Sequence, residues 1–310
     1  MIAFGCPITD SELYERCAKR GIERAAEPDS EIIAIPSAGL DNPDGTFREH
    51  GLTGSIFRNF NLILDRVAER DDLEALVLVH QDAEIVDTDF CARVRDAVAD
   101  PDVAIVGCAG AIGVRSIAWW EGAVTWASFE HRFDEYGGGA IAGGTWDRDH
   151  VPVHGNTGEV DTIDGLVMVM SPWAVRELRF DEGLGQFHGY DLDICLQARA
   201  AGKKVMTHDM KVIHHHSLDL IGDLNGWIEA HIKVAEKWNG RVSGVGDAAG
   251  DWKERARRAE AEADAARLLA NASELVRDAT LAQLEHVTSS ASWRITAPLR
   301  RLKDLVKRER

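Results

Sequence analysis

The 310-residue chain has no apolar run near the ~18 residues that a membrane-spanning helix needs, so none is expected. Met1 to Cys6 carries no basic region and runs directly into a strand-like apolar pattern, so no signal peptide is expected and the reading is cytoplasmic. Cysteine is sparse. Cys6, Cys17, Cys91, Cys108 and Cys195 are widely spaced without a C-x-x-C pair, which points to buried reduced thiols and against a disulfide framework. Basic residues are in deficit, 35 against 52 acidic ones for a net charge of −17, which argues against nonspecific nucleic-acid binding.

With 45% hydrophobic and 28% charged residues, the chain can bury a sizeable core, and its length suits one α/β domain with an appendage. The charge deficit is uneven. Residues 1–251 carry 22 basic and 43 acidic side chains, whereas 252–310 carry 13 and 9, so a basic tail with a separate role follows an acidic body.

Strand and helix signals alternate through the body. Ile2–Cys6, Glu31–Ile35, Leu76–Val79, Val103–Cys108 and Leu166–Met170 read as strands. Helices are expected from the capping box Thr9-x-x-Glu12 to about Ala25, and over about Ser55–Glu69, Asp89–Ala99, Tyr190–Ala201 and Trp227–Trp238. This rhythm belongs to a mostly parallel central sheet flanked by helices. It breaks between about Gly110 and Glu159, a glycine- and tryptophan-rich stretch that reads as a long functional loop. Residues 1–245 are therefore taken as one catalytic domain. Residues 250–310 are taken as a helical tail, in which Leu268, Ala272, Leu275, Ala279 and Ala282 form a seam for self-association or docking.

Four segments carry chemistry. His80-Gln81-Asp82 follows a buried strand, where ligands of parallel sheets collect, and Asp82 offers a hard oxygen for Mg²⁺ or Mn²⁺. It is equally a polar turn. Asp161 and Asp164-Gly165 precede a second buried strand and can accept hydrogen bonds from sugar hydroxyls, or simply form a turn. In Phe187-His188-Gly189-Tyr190-Asp191-Leu192-Asp193, the glycine admits close approach of a ligand and Asp191 opens a helix, as an ordinary N-terminal acid also would. His214-His215-His216 follows a short strand, and alternation puts His214 and His216 on one face with His215 on the other. Trp119 and Trp120 can stack on sugar faces or pack in a core. One shared site accounts for the ordered set more simply than four separate coincidences.

That set resembles the family 2-like glycosyltransferases with the A-type, Rossmann-like fold, of the bacterial surface-polysaccharide type. The likeness covers roughly residues 1–240. It is closest in LVLVHQDAEI, VDTIDGLVMVMSP, LRFDEGLGQFHGYDLDICLQARAAGKKV and VIHHHS. The resemblance implies that Asp82 matches the last acid of the family's Asp-x-Asp metal motif, that Asp191 matches the catalytic base, and that His214 or His216 binds metal. Asp161, Asp164, Gly165, Gly189, Tyr190, Asp193, Trp119 and Trp120 complete the expected donor and acceptor contacts. Two positions depart from the pattern: His80 stands where the motif has its first acid, and Tyr190 stands where the base is preceded by Glu. The segment SSASWRITAPLRRLK resembles a C-terminal piece of such enzymes.

The expected activity is metal-dependent, inverting transfer from a nucleotide-diphosphate sugar to a hydroxyl of a glycan or lipid-linked acceptor. A metal-dependent nucleotidyltransferase or hydrolase would use the same acids and histidines, and a binding module would hold nucleotide without turnover. Residues 289–310 combine seven basic side chains with Trp293, Ile295, Leu299, Leu302 and Val306. They suit either the inner surface of an anionic membrane or docking on the acidic body.

Overall fold

Every residue of Ile2–Ile8 is buried, which marks the first strand (β1) as an inner member of a sheet covered on both faces. The computed structural model describes residues 1–36, 55–114, 116–119, 123–133, 139–142, 157–215, 223–238 and 252–297. After β1 come α1 (Ser11–Arg16), α2 (Ala18–Ala25), β2 (Glu31–Pro36), α3 (Ile56–Val67), β3 (Ala75–Val79), β4 (Ala83–Ile85) and α4 (Phe90–Ala97). The middle of the chain holds β5 (Val103–Gly107), β6 (Ala109–Ile112), β7 (Ala123–Ala127), β8 (Phe129–Phe133) and β9 (Gly139–Ala142). Then follow β10 (Thr162–Ile163), β11 (Val167–Met170), α5 (Pro172–Glu177), α6 (Tyr190–Ala200), β12 (Lys204–Thr207) and β13 (Val212–His214). Three helices close the described chain: α7 (Leu224–Trp238), α8 (Trp252–Ser289) and α9 (Ala291–Ile295).

The main sheet has the order β12-β5-β11-β3-β1-β2. Five strands point one way, and β11 runs against both of its neighbours. The mostly parallel sheet expected from the alternating pattern is present. Amphipathic α3 covers it with Phe57, Phe60, Ile63, Leu64 and Val67, all buried.

Two expectations change. The first helix is not opened by a Thr9 capping box. Asp10 caps it by accepting from the Leu13 amide at 3.0 Å, while Thr9 is tied to Gln81, and the helix breaks at Cys17. The stretch read as one long loop contains β6 to β9. These strands build two small sheets, β10-β6-β7 and β4-β13-β8-β9, beside the main one. Among the described residues, no helix is long and apolar enough to cross a membrane.

The tail seam docks on its own chain. Ala261, Ala265, Leu268, Ala272 and Leu275 are buried, and α8 packs along α7. Self-association through 254–285 is thereby left without the inner half of its seam, because Leu268, Ala272 and Leu275 are already covered.

Gly21 sets how closely α2 approaches β4, since a Cβ there would collide with the backbone nitrogen of Ile85. Gly21→Ala should cost about 1–3 kcal/mol through overpacking, read as a lower urea midpoint with an unchanged slope.

Candidate functional site

The site begins where β3 ends. His80-Gln81-Asp82 turns the chain from β3 into β4, with the Ala83 amide donating to the His80 carbonyl at 3.0 Å. Gln81 faces away from the turn's open side. Its side-chain oxygen accepts from the amides of Thr9 and Asp10, anchoring the turn to the end of β1. The flanking His80 and Asp82 line a cleft of about 190 Å³.

Strand β13 pairs antiparallel with β4, with His214 opposite Ala83, and the His215 amide donates to the Asp82 carbonyl. This register brings Asp82 Oδ2 within 3.4 Å of His214 Nε2. His215 turns the other way and pairs with Glu84 at 2.9 Å. On the far side, β13 runs parallel to β8 with His214 beside His131, and the two rings lie 5.0 Å apart. Burial alone would push the His214 pKa down, but the Asp82 charge and hydrogen bond raise it above the ordinary histidine value. His216 and Trp120, both expected at the site, lie outside the described residues.

Asp164 reaches the same cleft from the opposite chain direction. Because β11 is antiparallel to β3, with Val167 opposite Val79, the residues before β11 meet those after β3. The Asp164 carboxylate accepts from the Leu166 amide at 2.9 Å and lines the cleft. Gly165 beside it leaves room for the Tyr190 ring, which a Cβ would strike.

Helix α6 supplies the next acid. Its N-cap Gly189 has φ +81°, a left-handed conformation that side chains disfavour, and it packs where a Cβ would crowd Ile117 and Val234 at 3.1 Å. Asp191 follows in the first turn. Burial pushes its carboxyl up to about 7, and the Asp164 charge adds to the rise; bonds from backbone amides pull it down less strongly. Tyr190 points into the core among Phe57, Phe60 and Phe180, and its hydroxyl meets His80 Nε2 at 2.5 Å. Burial holds the His80 ring below the usual histidine range despite the pull of Asp82.

Two expected ligand-binding acids face elsewhere. Asp193 is fully buried and accepts from Gln197 at 2.7 Å and Trp238 Nε1 at 2.8 Å, with the Lys237 ammonium at 2.8 Å. Asp161 accepts from the Gly113 amide at 2.6 Å and pairs with Arg199 at 2.9 Å. Neither lines the cleft. Trp119 does line it, as do Phe187 and His188 of the Gly-Tyr-Asp segment and Leu268 of the tail seam; His131 and Trp227 also line it, and no site motif had singled them out. Strand register alone pairs His131 with His214, and only helix packing brings in Trp227 and Leu268.

Among the described residues, no three His, Cys, Asp or Glu side chains converge closely enough to hold a metal ion by themselves. Asp82 and His214 offer one carboxylate and one imidazole. Such a pair fits Mn²⁺ or Mg²⁺ when phosphate oxygens and water complete the shell.

Asp193 gives a clean test of its placement. Asp193→Ala leaves the buried Trp238 donor unpaired and takes one of two carboxylates from half-buried Lys237, which keeps Asp181 at 2.7 Å, so stability should fall by ~1–3 kcal/mol in chemical denaturation. Nucleotide affinity of the folded fraction should not change.

Residues 55–220 match the glycosyltransferase-like family. Over 220 residues the chain is 28% identical to the streptomycin biosynthesis protein StrF of Streptomyces griseus, covering 70% of this chain and 67% of that protein. Among solved structures, GalNAc-T7 with UDP, GalNAc and Mn²⁺ aligns at TM-score 0.50 and 12% identity, over 77% of this chain and 48% of the other. The mannosyltransferase PcManGT from Pyrobaculum calidifontis, in complex with GDP-Man and Mn²⁺, aligns at TM-score 0.48 and 16% identity, over 95% of this chain and 82% of the other. The likeness to GalNAc-T7 shows the A-type glycosyltransferase fold. Since the matched segment spans over half the sequence and contains Asp82, Asp164, Asp191 and His214, the chain belongs to the glycosyltransferase-like family.

Proposed function

We propose that this glycosyltransferase moves a sugar from a nucleotide-diphosphate donor to a hydroxyl of a glycan or lipid-linked acceptor, with inversion at the anomeric carbon. One observation carries the reading: Asp191, with its pKa raised to about 7, lines the same cleft as the Asp82–His214 pair. A general base works best when its pKa lies near the working pH.

Asp191 takes the proton of the acceptor hydroxyl as that oxygen attacks the anomeric carbon. The bond from that carbon to the nucleotide diphosphate breaks on the opposite face, and a single displacement of this kind inverts the centre. Burial, and after it the negative charge of Asp164, makes Asp191 a stronger base than an ordinary carboxylate. The contact between His80 and Tyr190 fixes the turn that presents Asp82 against the helix that presents Asp191. Asp82 and His214 would hold Mn²⁺ or Mg²⁺, which would supply positive charge to the departing diphosphate.

The pH dependence has a definite sign. Asp191 accepts a proton only when ionised, so transfer should rise as pH increases through about 7 and level off above it. Asp191→Asn is nearly isosteric but cannot take the proton. Transfer should fall by ~10²–10⁴-fold, while metal-dependent binding of the donor survives. A panel of nucleotide sugars assayed with Mn²⁺ for binding and for product formation checks both outcomes. Near-normal transfer in the variant would remove Asp191 from the mechanism.

A lipid-linked acceptor implies contact with the membrane surface. Trp293 and Ile295 of α9 are exposed, and the basic segment that follows, residues 298–310, lies outside the described residues. Each basic residue near an anionic bilayer contributes about 1 kcal/mol of attraction. Full-length protein should therefore sediment with anionic vesicles at low salt, and a chain ending at Ser289 should stay in solution. Equal behaviour of the two would leave docking on the acidic body as the role of the tail.

A further inference from the structure

Part of the cleft is built by side chains that the transfer chemistry does not use. Ile117, Trp119, Trp227 and Leu268 line it together with Asp191. Trp227 belongs to α7 and Leu268 to α8, both beyond the residues 55–220 that match the family. The appended helix therefore supplies a piece of the site wall.

Its position is set by the α7–α8 packing. His231 Nδ1 on α7 lies 3.9 Å from Asp264 Oδ2 on α8, and both residues are buried. Arg267 also pairs with Asp264. Trp227 lies one turn before His231, and Leu268 one turn after Asp264, so the two helices run antiparallel and deliver Trp227 and Leu268 to the same cleft. Ala261 and Ala265 are buried on the same side of α8, and such small side chains allow the helices to approach closely. A buried polar pair inside an apolar seam opposes sliding, because a slip by one turn would separate His231 from Asp264. Helix α7 also borders the base: Gly189, at the start of α6, packs against Ile117 and Val234.

We propose that Trp119, Trp227 and Leu268 form the acceptor subsite, and that its occupant is a glycoside. This rests on the transfer reading above. A pyranose has an apolar C–H face and a polar hydroxyl edge. Apolar walls beside a carboxylate suit that shape, holding the ring by contact while one hydroxyl is directed at Asp191. The Asp82–His214 pair is taken by the donor diphosphate, which leaves this wall for the second sugar. The helical tail thus takes part in choosing the acceptor and is more than a spacer to the basic end.

The test uses the full chain with Mn²⁺, UDP or GDP, and a panel of para-nitrophenyl hexosides as acceptor probes. Binding is detected by saturation-transfer NMR and quantified by titration. Leu268→Ala removes wall surface and should weaken probe binding about tenfold, whereas Leu268→Met, which keeps the volume, should stay within about twofold. Leu281→Ala, at an exposed position further along α8, should change nothing. Nucleotide affinity should be the same in all variants. Unchanged probe affinity in Leu268→Ala, a parallel loss of nucleotide affinity, or no probe binding by the parent protein would overturn the subsite. Failure of the parent to bind any nucleotide would overturn the transfer reading itself.

Discussion

Strand β11 is hydrogen-bonded on both sides to strands that run the other way, and this reversal sets the geometry of the cleft. In an all-parallel sheet, the residues before a strand and those after its neighbour emerge at opposite ends. Reversing β11 puts Asp164, which precedes it, at the edge where β3 releases Asp82. The cost of an inserted antiparallel strand is small, since β11 is buried along its length and its ladder is complete on both sides. The reward is a concentration of negative charge at one sheet edge, with Asp191 brought in by α6. A site meant to hold a metal–diphosphate group gains from such charge, and the same charge raises the proton affinity of Asp191.

Asp191 and Asp193 show how one helix turn separates two roles. Residues two apart on a helix project to nearly opposite sides. Asp191 faces the cleft, is partly buried, and binds a proton more readily than a free carboxyl. Asp193 faces α7, and three donors surround it: Lys237, Trp238 and Gln197. The first acid borders the cleft, while the second ties α6 to α7. Helix α7 in turn carries Trp227 and packs against α8, so the anchoring acid also fixes the frame for the apolar wall.

How much of this was readable in the sequence depends on the range of the interaction. Leu76–Val79 and Leu166–Met170 were legible as strands because burial on both faces leaves an unbroken apolar run. The opening of α6 was legible because Gly189 and the acids after it are local signals. Alternation separated His214 from His215, and the structure turns His215 to Glu84. What the chain does not spell out is direction. Asp161, Asp164 and Asp193 look alike as acids beside apolar runs, and only the reversal of β11 and the partners of each carboxylate tell them apart. His131 has no motif around it. It enters the cleft solely because β8 lies beside β13 in register, a pairing between residues far apart in the chain. Short strands between glycines, such as β6 and β9, likewise have too few residues for a periodicity to emerge.

The helical tail shows the same limit from another side. Its seam of Leu268, Ala272 and Leu275 was visible as a period, but a period fixes only that a face will be covered, not by what. Two facts of the structure decide the matter for the first half of α8. The seam residues are small or aliphatic and are buried, and Asp264 within that face meets His231 of α7. A second copy of the chain would have to displace both contacts to use the same seam. Beyond Leu275 the covering ends, and Leu281, Leu284 and Val287 stand exposed on the way to α9. The tail is thus divided: its first half borders the cleft, and its second half runs exposed as far as α9.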